Sequence, residues 1–329
     1  MTIKDYMTLQ PPAQMGPPPS AQDNWNHAPT DDSIWWQESG LFTYGDASTG
    51  FGGEMRFGMH ANQEKANLYT WHVVDGEMVD RRIVIDQPLG FEHILQSDIA
   101  GASVRTIDPL SAYELRLAHE DFEIEGQWRH FRQPFSMGYN VGGATIAKGH
   151  YNIMGRLTGT GRYKGREFPI NAVGFSDHSW GVRRSHLPAS RSLFCVFDED
   201  FYIMAIPVCS GTTRSMVGYL FRDGKVGVLQ TESEMGYSFR DDWVSPAGCD
   251  ARLIDEHGRE VRLKGWTIGP SSTQTMGHGK YVTHCVAGFE CEGREGSGIL
   301  ESAQFKGMPP SIRALDVDHD SWWFSESAD

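Results

Sequence analysis

Short runs of alternating apolar and polar residues, separated by turn-forming dipeptides, constrain the fold of this 329-residue chain most strongly. Asp75-Gly76 separates the run 69–74 from the run 82–85, and an Asp-Gly pair between two such runs is a strong signal for a two-residue hairpin. Asp223-Gly224 and His257-Gly258 predict two further hairpins in the second half of the chain. The pattern predicts an antiparallel all-β protein.

The alternation is clearest where Tyr113, Leu115 and Leu117 are separated by Glu114 and Arg116, as one half-buried strand requires. An apolar period of 3.6 residues with caps at both ends is missing from the sequence, so any helices are predicted to be short. The 37 glycines and 10 tryptophans suit tightly bent strands around an aromatic-lined interior. Each half of the chain is long enough for a barrel of about eight strands that holds one small ligand.

Prolines set the N-terminal segment apart from the rest. Pro11-Pro12, Pro17-Pro18-Pro19 and Pro29 lie among polar residues, a composition that disfavours both helices and strand ladders. We therefore predict three regions: an extended arm over 1–32, a first β-barrel domain over 33–184 and a second over 185–329. The arm is expected to wrap the first domain or a neighbouring subunit.

Charge and composition exclude several classes of partner. The formal net charge of -14 argues against nucleic acid or an anionic membrane surface, because both attract basic patches. No run approaches 18 apolar residues, and the start lacks the basic and apolar regions of a secretory signal. We therefore predict a cytoplasmic protein that binds an apolar small molecule. Its oligomeric state stays open, and a homodimer is one possibility. The cysteines are five and widely spaced, as expected for reduced thiols: Cys195, Cys209, Cys249, Cys285 and Cys291.

The densest chemistry lies near the midpoint, in Gly174–Arg184. Within it, Asp177, His178 and Trp180 follow an apolar strand-like run. If this stretch is a strand, Asp177 and Ser179 point to one face and His178 and Trp180 to the other, unless a bulge intervenes. A structural corner, with Asp177 capping the backbone and Trp180 filling space, is the alternative to a functional site.

An imidazole and a carboxyl group in a water-poor barrel are suited to giving and taking protons. We take Asp177 with His178 as the candidate acid–base group, one acting directly and the other orienting it. Glu301 lies in an apolar run, where a carboxylate should be paired or functional. The remaining candidates are a proton-transferring phenol (Tyr151), a neighbouring imidazole (His150), a charge partner for the carboxylates or a substrate contact (Arg183), and aromatic rings to flank a substrate (Trp180, Trp71 and Tyr139).

The segment Gly174–Arg183 resembles the Asp-His-x-Trp-Gly signature of the carotenoid 1,2-hydratase (hydroxyneurosporene synthase) and AttH-like superfamily. Gly149–Gly159 is similar to the strand that leads toward that signature, although members often carry Glu where this chain has Asn152, a candidate substrate contact. Gly298–Glu301 resembles a Gly-x-x-Glu near the superfamily's C-terminus. The resemblance implies two lipocalin-like antiparallel β-barrels packed together, and enzymes that hydrate double bonds, cyclise prenyl chains or guide cycloadditions without a redox cofactor.

Function is therefore predicted as a lyase that works by acid–base chemistry without a cofactor or a metal ion. Its expected substrate is a bulky apolar molecule such as a terpenoid, a steroid or a lignin-derived aromatic dimer. Hydration or dehydration and retro-aldol cleavage of a carbon–carbon bond both fit the residues. An isomerase or cyclase is the first alternative, and a carrier that binds an apolar ligand unchanged is the second.

Overall fold

The computed structural model describes residues 8–138, 140–141, 144–145, 147–183, 189–210, 213–276 and 280–305. Two one-turn 3₁₀ helices occur in this part of the chain, Ala21–Asn24 and Ala61–Gln63, and everything else that is regular is strand. None of the helices in the described residues has the length and apolar character needed to span a membrane. The strands are β1 Thr8–Leu9, β2 Trp36–Asp46, β3 Phe51–His60, β4 Lys65–Val74, β5 Glu77–Pro88, β6 Gln96–Ile99, β7 Ala102–Asp108, β8 Ala112–His119, β9 Phe122–His130, β10 Phe135–Ser136, β11 Asn140–Val141, β12 Ala144–Thr145, β13 Gly149–Tyr163, β14 Arg166–Val182, β15 Ala189–Asp198, β16 Phe201–Ser210, β17 Thr213–Arg222, β18 Lys225–Val228, β19 Glu234–Phe239, β20 Pro246–Ile254, β21 Glu260–Met276, β22 Lys280–Cys291 and β23 Arg294–Phe305.

The chain divides into two compact units. The N-terminal unit comprises Met15–Gly138 and Ile146–Ser185, and the C-terminal unit comprises Met1–Gln14, Tyr139–Thr145 and His186–Asp329. The first unit contains an 11-stranded sheet in the order β5-β4-β3-β2-β14-β13-β9-β8-β7-β6, with β10 paired to β13. The second contains a 10-stranded sheet in the order β1-β17-β16-β15-β23-β22-β21-β20-β19, with β18 paired to β17. The predicted all-β architecture of two barrel-like sheets is confirmed.

Alternation along the strands builds the core of the N-terminal unit. On β2, Phe42 and Tyr44 point into an apolar cluster together with Met55 and Phe57 of β3 and Trp128 of β9. We call this side of the sheet the inner face and the opposite side the outer face. The predicted strand at 113–117 lies in β8, with its three apolar residues buried in this cluster.

The hairpin predictions hold where the turn has two residues. Asp75 and Gly76 join β4 to β5 with φ angles of 52° and 78°, and Asp223 and Gly224 join β17 to β18 with 52° and 75°. Positive φ at both positions is the type I′ turn that matches the twist of paired strands. The connection at His257-Gly258 is longer than predicted and spans 255–259, because the Asp255 carboxylate accepts the backbone N–H groups of His257 and Arg259 at 3.0 and 2.9 Å.

The proline-rich arm differs from its prediction as an extended segment without a ladder or helix. Thr8 and Leu9 pair in parallel with β17, and the residues from Met15 onward belong to the N-terminal unit. A 3₁₀ turn forms at 21–24 because Asp23 accepts the backbone N–H and the hydroxyl of Ser20, both at 2.7 Å. Local side-chain hydrogen bonds of this kind offset the poor helix-forming composition.

Alanine at Gly76 tests the turn assignment. A Cβ at Gly76 meets no atom within 4 Å, so the only penalty of Gly76→Ala is its φ of 78°. We expect a loss of about 1 kcal/mol in the free energy of unfolding, measured by urea denaturation. Gly90→Ala is the matched control, since Gly90 also has open space but no positive φ. Equal stabilities of the two variants would contradict the assignment.

Candidate active site

Three strands bring four candidate functional side chains to the inner face of the N-terminal unit. β14 lies between β13 and β2, with His178 opposite Tyr151 and Trp180 opposite Glu38. Directly opposite residues of antiparallel strands share a face, so these four side chains are neighbours. The alternation predicted for 177–180 is therefore present, and Asp177 points to the outer face.

Glu38 is a fully buried carboxylate that accepts three N–H groups. His178 Nε2 and His27 Nδ1 lie 2.8 and 2.9 Å from its Oε1, and the backbone N–H of His27 lies 3.0 Å from its Oε2. An ionised carboxylate only accepts hydrogen bonds, so each imidazole carries a hydrogen on the nitrogen that faces it. Burial opposes ionisation of Glu38, but the hydrogen bonds from His178 and His27 outweigh it and hold its pKa below the usual value. We call His27, Glu38, Tyr151 and His178 the Glu38 cluster.

Tyr151 closes the buried end of the cluster. Its hydroxyl lies 3.1 Å from His178 Nδ1 and also hydrogen-bonds with Tyr113. Tyr113 in turn donates to Asn24 Oδ1 at 2.6 Å. Burial, with smaller effects from Tyr113, raises the pKa of Tyr151 well above its usual value, so Tyr151 is a neutral phenol near pH 7. The hydrogen-bonded series therefore runs from His27 through Glu38, His178 and Tyr151 to Tyr113 and Asn24.

Trp180 holds the other end. Its ring stacks on His27 with centroids 3.5 Å apart and planes 5° apart. Gly149 lies opposite Trp180 on β13, and a Cβ at Gly149 would come within 2.2 Å of the indole. His27 and the Gly149 backbone therefore flank the indole, so Trp180 positions His27 instead of offering a free face to a substrate.

The outer face carries a second acid–imidazole pair. His150 Nε2 lies 3.3 Å from Asp177 Oδ2, while His150 Nδ1 lies 3.2 Å from the carbonyl oxygen of Met137. Both ring nitrogens of His150 therefore have hydrogen-bonding partners on this face. The predicted partnership of Asp177 with His178 is thus replaced by two separate pairs, because adjacent strand residues point to opposite faces.

Two other sequence candidates also lie on the outer face of the N-terminal unit. Asn152 is buried and its Nδ2 lies 3.4 Å from His150 Nδ1. Trp71 is buried on β4, and its Nε1 donates to a carboxylate oxygen of Glu54 at 3.5 Å. Neither side chain shares a face with His178.

Arg183 was expected to pair with Asp177 or Glu301. Its Nη2 instead donates to the hydroxyls of Ser179 and Ser39, at 2.5 and 3.4 Å. Burial and the nearby charge of Arg56 lower the pKa of Arg183 to about 10, against the opposing charge of Asp177. It remains a cation near pH 7.

Glu301 belongs to the C-terminal unit. It accepts the Ser192 hydroxyl at 2.9 Å and lies 3.0 Å from His284 Nε2, so the carboxylate is paired as predicted for an apolar run. Tyr139 lies outside the described residues. Cys195 packs in β15, and burial raises the pKa of its thiol well above the usual value.

Sequence reasoning missed Glu38 and His27. The signal for Glu38 was present, because a carboxylate interrupts the inner-face alternation of Trp36, Gly40 and Phe42. His27 had no such signal, since it lies in the proline-rich arm. Together with His178, these residues place three potential metal-ligand atoms within 4.8 Å of one another. His27 Nδ1 and His178 Nε2 are both at hydrogen-bonding distance from Glu38 Oε1. A metal ion bound there would therefore have to displace the two protons that these nitrogens carry.

The two barrel-like sheets define a two-domain lipocalin-like fold, and comparisons with solved structures agree. An AttH-like protein from Nitrosomonas europaea superimposes with a TM-score of 0.64 at 14% identity, covering 87% of this chain and 96% of that one. Kievitone hydratase from Nectria haematococca gives a TM-score of 0.55 at 10% identity over 88% and 93% of the two chains. CghA with Sch210972 gives 0.50 at 11% identity over 83% and 89%. These comparisons confirm the two-domain lipocalin-like fold that the resemblance implies.

Residues 20–306 match the family described as Domain of unknown function (DUF7064), and the chain belongs to that family. A comparison with curated proteins gives no match.

The ionised state of Glu38 should be visible in the pH dependence of stability. Its folded pKa lies below the ordinary 4.5, so its contribution is complete above about pH 4.5 and is lost as the pH falls through the lower folded value. We expect Glu38→Gln to cost roughly 1–3 kcal/mol at pH 7 and to flatten the decline in stability at acid pH, measured by urea denaturation from pH 7 to pH 3.

Glu167→Gln, at an exposed position beside the β13–β14 turn, is the control for the loss of a carboxylate. A Glu38→Gln curve that runs parallel to that of the wild type would show that Glu38 has no depressed pKa.

Proposed function

We propose that this protein is an enzyme of the lyase class that adds water to, or removes it from, a bulky apolar substrate. The observation that carries the proposal is the Glu38 cluster: a buried carboxylate, two imidazoles and a phenol in one hydrogen-bonded series. Such a series costs desolvation energy, and a purely apolar core would avoid that cost. We attribute its presence to proton transfer.

Hydration and dehydration need a group that gives a proton and a group that takes one. The phenol of Tyr151 is neutral, the carboxylate of Glu38 is ionised, and His178 lies between them. A proton added to the imidazoles is stabilised by Glu38, and the neutral Tyr151 hydroxyl hydrogen-bonds with His178 Nδ1 and holds that ring in position. Positioned acid–base groups of this kind are typically worth about 10²–10⁴-fold in rate.

The fold is compatible with this chemistry. Kievitone hydratase, a protein with the same architecture, is named as a hydratase. At 10% identity the likeness supports the scaffold and leaves the reaction to be argued from the site. Beside the Glu38 cluster the inner face carries buried apolar residues such as Phe42 and Trp128, and an apolar surrounding favours a terpenoid, steroid or aromatic-dimer substrate over a charged one.

Mass spectrometry tests the reaction type directly. The purified protein would be incubated in ¹⁸O-labelled water with pools of terpenoid, steroid and lignin-derived compounds. The proposal predicts a product that has gained or lost one water, with label incorporated on hydration. Two fragments would indicate retro-aldol cleavage, an unchanged mass in a new compound would indicate an isomerase or cyclase, and an unaltered bound ligand would indicate a carrier. Each of these three outcomes contradicts hydration.

Substitutions then decide between the two faces of β14. We expect Glu38→Gln and Tyr151→Phe to lower kcat by about 10²–10⁴-fold, because each removes a hydrogen-bonding partner of His178 from the acid–base series. Asp177→Asn should have a smaller effect, since Asp177 lies on the outer face. Steady-state kinetics would measure all three, with Glu167→Gln as the control. Full activity in Glu38→Gln together with loss in Asp177→Asn would move the site to the Asp177–His150 pair.

A further inference from the structure

His27 is the most exposed member of the Glu38 cluster. Its side chain is 21% exposed, against 0% for Glu38 and 1% for His178. Tyr151 is 3% exposed, and Trp180, which stacks on His27, is half-buried. A substrate that approaches from solvent without opening the sheet would therefore contact His27 before any other acid–base group of the Glu38 cluster.

We infer that His27, supplied by the proline-rich arm, is the residue that exchanges the proton with the substrate. The inference rests on the proposed function and assigns the group that touches the reacting atom. His178 and Tyr151 then act behind it, through the Glu38 carboxylate that both imidazoles share.

The geometry around the imidazole ring supports this role. Glu38 holds the Nδ1–H at 2.9 Å, which fixes the tautomer and leaves Nε2 for proton transfer. Trp180 lies flat against the ring and prevents it from tilting. The Asp23 carboxylate lies 3.6 Å from Nε2, so a protonated His27 has a counter-charge on this side as well. A carboxylate hydrogen-bonded to one nitrogen, with proton transfer at the other, is the arrangement that catalytic imidazoles use.

The residues on either side of His27 keep the segment in place. Asn24 is buried and accepts the backbone N–H of Leu110 at 3.1 Å as well as the Tyr113 hydroxyl. Asn26 accepts the backbone N–H of Ile94 at 2.8 Å. His27 is thus preorganised by tertiary hydrogen bonds although its segment has little regular secondary structure, and preorganisation lowers the cost of reaching a reactive geometry.

Hydration would then proceed by proton transfer from His27 to the alkene, followed by addition of water. The His27 Nε2–H bond breaks as its proton forms a C–H bond with one alkene carbon. Water forms a C–O bond with the other carbon and returns a proton to Nε2, so that the imidazolium is regenerated and one water is consumed. Dehydration is the same sequence in reverse.

Two variants of His27 test the inference. His27→Asn keeps an N–H donor for Glu38 but has no nitrogen that titrates, and His27→Ala leaves a space for free imidazole. We expect both to lose about 10²–10⁴-fold in kcat, with added imidazole restoring part of the activity in His27→Ala only. The control is His93→Ala, which removes another half-buried imidazole beside an indole, that of Trp25, 5.2 Å away in the same unit.

A second readout does not depend on turnover. Diethyl pyrocarbonate should modify His27 before His178 and His150, as mapped by peptide mass spectrometry of the wild-type protein. Wild-type activity retained in His27→Asn, or modification of His178 ahead of His27, would overturn the inference while the proposed function stands. A wild-type protein that converts none of the substrate pools would overturn the proposed function itself.

Discussion

The buried carboxylate of Glu38 is the interaction on which the rest of the candidate site depends. An ionised group inside an apolar barrel is tolerated only when hydrogen bonds compensate for lost solvation. Glu38 meets this condition with three N–H donors, two from His27 and one from His178. The carboxylate thereby ties the arm to the central strand. The stack of His27 on Trp180 and the contact of His178 with Tyr151 follow from that link.

The sequence predicted the scaffold well because its signals are local. Two Asp-Gly turns and the alternation at 113–117 lie where they were expected, and strand periodicity alone separates Asp177 from His178. The pairing of these two residues as one acid–base group failed for the same reason. Reactive side chains that are adjacent on a strand point to opposite faces of the sheet, so the residues on each face contact different partners.

The remainder of the site depends on contacts that are distant in sequence. Glu38 and His178 are 140 positions apart, and the strand order that joins β2 to β14 cannot be inferred from their local patterns. His27 was hidden because proline-rich composition indicates an extended arm. Its position is fixed by the tertiary hydrogen bonds of its neighbours Asn24 and Asn26 to Leu110 and Ile94. No local sequence pattern predicts these contacts. Each unit also pairs a carboxylate with an imidazole across two neighbouring antiparallel strands, Asp177 with His150 in one unit and Glu301 with His284 in the other.

Nitrogen-15 NMR of histidine side chains is the most direct test of the central claim, that Glu38 holds a proton of each neighbouring imidazole. In protein labelled only at histidine, we expect protonated, slowly exchanging His178 Nε2 and His27 Nδ1, with both N–H signals shifted or lost in Glu38→Gln. An unprotonated nitrogen at either position, or signals that are unchanged in that variant, would contradict it.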